Sequence, residues 1–179
     1  MSDFYEFQPD GVSTFGRETL VWCEDLADPT TPTVTELEAG INLTFSARGF
    51  SPNDTEAVGQ DIRLGSKNVG ESLGRVSSSL DDITYVIDPQ LVGQTTPNAQ
   101  TKHYDSLAPG NIGYLVDRRG LDTSTAFTAA QIVDTYKVQL GKRRRVAVDA
   151  TGDGTAKFEF IQKPAVIQSW QDCKVAAGA

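Results

Sequence analysis

The chain is poor in the side chains that most chemistry needs. Its 179 residues include one histidine, one methionine and two cysteines. His103 is the only imidazole, so a histidine pair that binds metal or relays protons is excluded. Cys23 and Cys173 are far apart and form no Cys-x-x-Cys spacing. A domain of this size builds its own core without a disulfide framework, so both are expected as free thiols. No window approaches the roughly 18 consecutive apolar residues of a spanning helix, and Met1–Asp10 has neither a basic start nor an apolar run. Neither export nor membrane insertion is expected, and the Asn-x-Thr triplets at Asn42 and Asn53 therefore carry no weight as glycosylation acceptors.

Hydrophobic residues make up 39% and charged residues 22%, with 16 Gly and 8 Pro, which reads as one turn-rich globular domain over residues 1–179. The net charge of -8 is unevenly spread. Residues 1–60 carry 11 acidic and 2 basic side chains, whereas residues 121–179 carry 6 acidic and 8 basic. Opposite charge at the two ends of a sequence can steer one copy of a chain onto another, and an acidic chain is poorly suited to gripping DNA through its phosphates.

Period-two alternation is the commonest pattern and predicts a mainly β fold. Thr19–Cys23, Ile83–Asp88, Ile112–Gly120 and Ile132–Leu140 read as strands, the second and third apolar enough to be covered on both faces. Ile41–Ser46 alternates with Ile41, Leu43 and Phe45 on one face. Lys157–Gln162 and Val166–Trp170 flank Pro164 and suit two strands or one bent strand. One helix is expected from Thr96 as N-cap, with Pro97 at the first helical position, to Leu107, where Ala99, His103 and Leu107 form a stripe that can lie on a sheet. Thr125–Ala130 has weaker helical character.

Residues 49–80 contain five glycines and only scattered apolar side chains. Such a long stretch inside a compact domain is expected to serve a function, and it reads as a projecting arm that becomes ordered against a neighbour. Gly70-Glu71-Ser72-Leu73-Gly74 has the spacing of a nucleophile elbow, which would make Ser72 an esterase serine. That motif needs a strand before it and a helix after it, and neither flank supplies one. Asp149–Gly154 lacks the alternating oxygen ligands and terminal glutamate of a calcium loop and reads as a hairpin turn. Gly141-Lys142-Arg143 lacks the remainder of a P-loop. No catalytic residue, metal or cofactor is assigned.

Lys142, Arg143, Arg144 and Arg145 form the strongest charge run. They suit an acidic surface of another copy, with a solvated hairpin end or contact with phosphates as alternatives. With Arg63, Lys67 and Arg75 of the arm they are the candidate assembly residues.

Ile83–Gln90, Tyr104–Val116 and Ala129–Gly141 together resemble the major tail tube proteins of long-tailed phages, in particular those of actinobacteria, over most of residues 33–170. The resemblance implies a two-sheet β-sandwich or barrel with one flanking helix and a long projecting loop. It also implies six copies closing into a ring, and rings stacked into the tube through which the genome leaves. The implied location is the virion tail, assembled in the host cytoplasm. The implied partners are further copies of the chain, a tape-measure protein, a tail terminator and a distal tail protein, with DNA passing without specific binding. The arm over 49–80 would connect ring to ring. A head-tail connector or a capsid decoration protein of similar build is the alternative.

Overall fold

In the computed structural model, residues 11–61, 70–92, 101–147 and 157–178 are described. The elements run in the order β1 (Glu18–Cys23), α1 (Val34–Ala39), β2 (Ile41–Asn42), β3 (Ala47–Arg48), β4 (Pro52–Asp61), β5 (Gly70–Leu80), β6 (Ile83–Val86), α2 (Lys102–Ser106), β7 (Ile112–Arg119), β8 (Ile132–Arg145) and β9 (Glu159–Lys174). The fold is mainly β, as the alternation predicts. Seven strands form one sheet in the order β2-β1-β7-β8-β9-β6-β3, and β4 and β5 form a separate two-stranded sheet. Every pairing between named strands is antiparallel.

The large sheet buries both faces. On one face Leu20 and Trp22 of β1 join Ile83 and Tyr85 of β6 in the same cluster, although β7, β8 and β9 lie between those strands. Strands so far apart in a sheet can share a core only if the sheet curls, so this face is the interior of a half-closed barrel. The other face packs Val21, Tyr114, Val116 and Val133 against Leu37 of α1 and the C-terminal Cys173 and Val175. Trp22 is seated against bare backbone, since a Cβ at Gly113 would lie 2.6 Å from its ring and 2.8 Å from the Cys23 carbonyl oxygen.

Several expectations change. Ile41–Ser46 is not one strand: β2 stops at Asn42, Leu43 is buried, and Phe45 stands 83% exposed. Asn42 Oδ1 accepts the Thr44 amide at 3.0 Å, and Thr44 Oγ1 accepts the Leu20 amide at 3.0 Å. These side chains offer the backbone local partners that compete with a ladder. The helix expected from Thr96 begins at Lys102, after Thr101; Thr96, Pro97 and Ala99 fall outside the described residues, whereas His103 and Leu107 are buried. Thr125–Ala130 is irregular and not helical, with a turn at Ala129–Ala130, where Ala130 has φ 70°. A second helix accompanies the expected one: α1 begins at Thr33, whose hydroxyl accepts the Glu36 amide while the Glu36 carboxylate accepts the Thr33 amide at 2.8 Å.

Of the two arrangements left open around Pro164, the chain adopts the single strand, Glu159–Lys174, of 16 residues. Pro164 opposes Leu140, and the register shifts between Leu140 and Arg143. Gly141 permits the close approach there, because a Cβ would meet the Lys163 carbonyl oxygen at 2.8 Å. The arm, read from sequence as a loop that awaits a neighbour, pairs with itself as the β4–β5 hairpin.

Replacing Gly113 by Ala would drive a methyl group into the Trp22 ring. We expect a loss of about 1–3 kcal/mol of stability, read as a lower urea midpoint with an unchanged slope; an unaltered midpoint would show that the ring has room to shift.

Candidate functional site

β8 and β9 run together from Ile132↔Lys174 to Arg145↔Phe160 and end in different chemistry. At the Arg145 end the four consecutive cations do not act as one cluster. Arg143 turns inward: its Nε donates to the Leu107 carbonyl oxygen at 3.2 Å, a terminal nitrogen donates to the Tyr104 carbonyl oxygen, and its guanidinium stacks 3.8 Å above the Tyr104 ring. It thereby satisfies carbonyls at the end of α2. Gln162 Nε2 reinforces the attachment by donating to the Leu107 oxygen at 3.1 Å and the Gly141 oxygen at 2.8 Å. Arg144 pairs with Asp82. Lys142 and Arg145 remain exposed. Beside Arg145 lies a groove of about 680 Å³ whose walls include Ile87, Val92, Val146 and Phe158 together with the carboxylates of Asp88 and Glu159, the latter paired with Arg48.

The opposite end is acidic. Asp117 and Asp134 are cross-strand partners, and Glu18 opposes Arg119. Arg119 Nε lies 2.6 Å from Asp117 Oδ2 and 3.8 Å from Glu18 Oε1. Burial pushes the Asp117 carboxyl up to about 7; the Arg119 charge opposes this, while Glu18 and Asp134 add to it. The next residue faces the other way. Arg118 is 1% exposed, donates to Thr19 Oγ1, Gln131 Oε1 and the carbonyl oxygens of Asp122 and Ala126 at 3.1–3.3 Å, and lies 4.6 Å from the Phe127 ring centroid. One guanidinium thus holds the β7–β8 connection in place.

The hairpin rests on the large sheet at its base. Ser78 and Ser169 share a hydroxyl hydrogen bond of 2.8 Å, Gln171 Nε2 donates to Asp54 Oδ2 at 2.6 Å, and Phe50, just before β4, meets Tyr136 edge-on at 5.8 Å. Farther out, Val58, Leu73 and Val76 are 59%, 73% and 60% exposed. Arg75 is exposed on β5, and Arg63 and Lys67 lie outside the described residues.

The elbow-like sequence is an extended strand, with Ser72 Oγ donating to the Gly59 carbonyl oxygen at 3.4 Å. His103 is buried beside the stacked rings of Tyr85 and Phe160, with Nε2 3.0 Å from the Val86 carbonyl oxygen, and burial lowers its pKa. The structure therefore does not bring Ser72 and His103 together as a nucleophile and base. Cys23 is a buried thiol pushed up to about 12 by burial and by Glu36, the reverse of an activated nucleophile. Asp149–Gly154 falls outside the described residues. Among the described residues no three His, Cys, Asp or Glu side chains converge on a point, and no helix is long and apolar enough to cross a membrane.

Sequence reading missed the acidic end, because Glu18, Asp117 and Asp134 lie far apart in the chain. It also missed the apolar stripe on the hairpin. The alternation of Asp54, Glu56, Val58 and Gln60 was the available signal, hidden by the surrounding Gly and Ser residues.

A family model described as phage tail tube protein matches residues 7–179. In structure, the chain is similar to one in the six-fold symmetrised cryo-electron microscopy structure of the anti-feeding prophage baseplate, with a TM-score of 0.53 and 11% sequence identity, over 92% of this chain and 96% of that one. At that identity the likeness speaks for the fold. No curated protein matches the sequence.

The Asp117 carboxyl yields a signed pH dependence. Since its folded pKa is raised, the group contributes stability that is fully present below the ordinary carboxylate pKa and is lost as pH rises through about 7. We expect the stability of Asp117→Asn relative to the wild type to rise by about 2–4 kcal/mol between pH 4 and pH 8. Parallel denaturation curves across that range would contradict the assignment.

Proposed function

The chain belongs to the phage tail tube proteins, a structural component of the virion tail, and we propose that it is the repeating subunit of the tube itself. In this reading copies join side by side into rings, six to a ring, and the rings stack into the conduit through which the genome is ejected. The prophage assembly to which its fold is similar is described as six-fold symmetrised, which favours that number. The subunit is made and assembled in the host cytoplasm. It meets a tape-measure protein inside the tube, a terminator at one end and a distal tail protein at the other. The resemblance of Ile83–Gln90, Tyr104–Val116 and Ala129–Gly141 to tail tube proteins of actinobacterial phages points to a host of that kind. No catalytic role is part of this reading.

The observation that carries it is an unfinished sheet. β9 pairs with β8 along most of its length, but with β6 only from Glu159 to Gln162. Among the described residues, no strand pairs with its other edge from Lys163 to Lys174. A long open edge is a template for another chain, and joining edges around a closed ring satisfies it without leading to open-ended aggregation. The β4–β5 hairpin, which rests on the sheet at its base and is exposed farther out, serves as the connector between rings. Of the candidate assembly residues, Lys142 and Arg145 are the exposed cations at one end, opposite the acidic end of β7 and β8. Arg75 with Arg63 and Lys67 would place charge on the connector. A net acidic wall repels DNA over the Debye length of about 8–10 Å, so a duplex passes without adhering.

Negative-stain microscopy of the concentrated, purified chain should show hollow tubes with a six-fold end view. Isolated particles at every concentration would end this reading, and single rings that never stack would favour a head-tail connector instead. Replacing Lys142, Arg144 and Arg145 by Glu should reduce sedimentable tubes, with the largest deficit at low salt; equal yields at all salt concentrations would remove these cations from the contact.

A further inference from the structure

The hairpin has two unequal faces, and an irregularity in one strand decides what each face carries. Along β4, ordinary alternation places Asp54, Glu56, Val58 and Gln60 on one face. Cross-strand partners share a face, so Ser78 and Val76 join Asp54 and Glu56, while Leu73 and Glu71 join Val58 and Gln60. Leu73 and Val76 are three residues apart and would point to opposite sides of a regular strand. The register shift between Glu56 and Val58 sets both Gly74 and Arg75 against Ala57, a β-bulge that returns Leu73 to the face of Val76. Gly74 suits that position, since a Cβ there would lie 3.1 Å from the Ala57 carbonyl oxygen. The opposite face carries small polar residues, among them Asn53, Thr55, Ser72, Ser77 and Ser79, with Arg75 beside them at the bulge.

The face bearing Val58, Leu73 and Val76 is continuous with a contact already made. At the base of the hairpin it lies on β9 through Ser78–Ser169 and Asp54–Gln171; farther out the three apolar residues stand uncovered between Glu56 and Glu71. The direction of the hairpin says what can cover them. Asp82, two residues after β5, pairs with Arg144. Ser78 meets Ser169, which opposes Tyr136, eight residues back along β8. From Leu80 outward the hairpin therefore runs away from the cationic end of its own chain. That separation is about 26 Å along the strand, so the groove beside Arg145 is out of reach within one molecule.

We propose that the bulge-set face of the hairpin docks into the groove at the cationic end of a second copy. Val58, Leu73 and Val76 pack on Phe158 and its apolar neighbours Ile87, Val92 and Val146, and Glu56 and Glu71 face Arg145 at the groove's wall. The proposal rests on the tube reading above and adds to it which face binds, what it binds and why the strand is irregular. The apolar centre with a charged rim is the usual composition of a specific interface, and the acidic rim of one partner meets the cations of the other.

The test uses full-length chains and counts tubes by sedimentation and microscopy. Leu73→Asp should lower tube yield at least ten-fold, whereas Ser72→Asp, the adjacent residue on the other face, should leave it unchanged. Deleting Arg75 removes the extra residue, moves Leu73 to the wrong face and should also abolish tubes, with the thermal transition of the sheet retained. The double change Glu56→Lys/Glu71→Lys should block assembly, and adding Arg145→Glu should restore it. Equal effects of the Leu73 and Ser72 changes, wild-type tube yield without Arg75, or a charge swap that fails to rescue would each overturn the docking while leaving the tube reading intact. A wild-type chain that makes no tubes would remove both.

Discussion

The pairing of β8 with β9 holds the rest of the structure in place. Fourteen residues oppose sixteen, and every other strand of the large sheet is attached on one side or the other: β7, β1 and β2 beyond β8, and β6 and β3 beyond β9. A regular ladder of this length would twist smoothly from end to end. It is interrupted three times, and the shift between Leu140 and Arg143 is the best supported of these by neighbouring groups. Pro164 has no amide to donate at that place, Gly141 lets the strands approach, and Gln162 spans the gap by bonding both to Gly141 and to the end of α2. The register shift in the ladder and the attachment of α2 are thus one local arrangement.

The same ladder keeps the two charged ends apart. Consecutive residues of β7 show how differently charge is managed on its two faces. Asp117 points inward beside Arg119 and shares its surroundings with Asp134 and Glu18, so its ionisation depends on conditions. Arg118 points outward into the second core with no carboxylate among its hydrogen-bond partners, and its charge is spread over four neutral acceptors and an aromatic face. A guanidinium stays charged throughout the accessible range. The β7–β8 connection is therefore held independently of pH, while the barrel end one residue away is not.

The strands were legible in the sequence wherever burial alternates or covers both faces, as in Thr19–Cys23, Ile83–Val86, Ile112–Arg119 and Ile132–Leu140. Reading failed where side chains redirect the backbone locally. Asn42 and Thr44 divert a run that alternates well on paper, and the Thr33–Glu36 box starts a helix in a segment of Asp, Pro and Thr that otherwise looks like a loop. The resemblance to tail tube proteins was carried by the central strands, and the match over residues 7–179 extends it to nearly the whole chain. The candidate assembly surface was only partly visible. The Lys142–Arg145 run is plain in sequence, but its division into an inward Arg143, a paired Arg144 and exposed Lys142 and Arg145 depends on strand orientation and on where Asp82 and α2 come to lie. The hairpin was hidden because its register includes an extra residue that no periodicity reveals.

The two tryptophans sit on opposite sides of the large sheet. Trp22 is sealed in the barrel interior against Gly113, and Trp170 packs partly buried on the outer cluster. Neither belongs to the distal hairpin. The two indoles therefore provide built-in optical reporters of how well each layer is packed, and they are silent towards events at the hairpin tip. Trp22 can therefore follow melting of the interior, whereas Trp170, half-buried on the β9 edge that the ring would occupy, also responds when copies join.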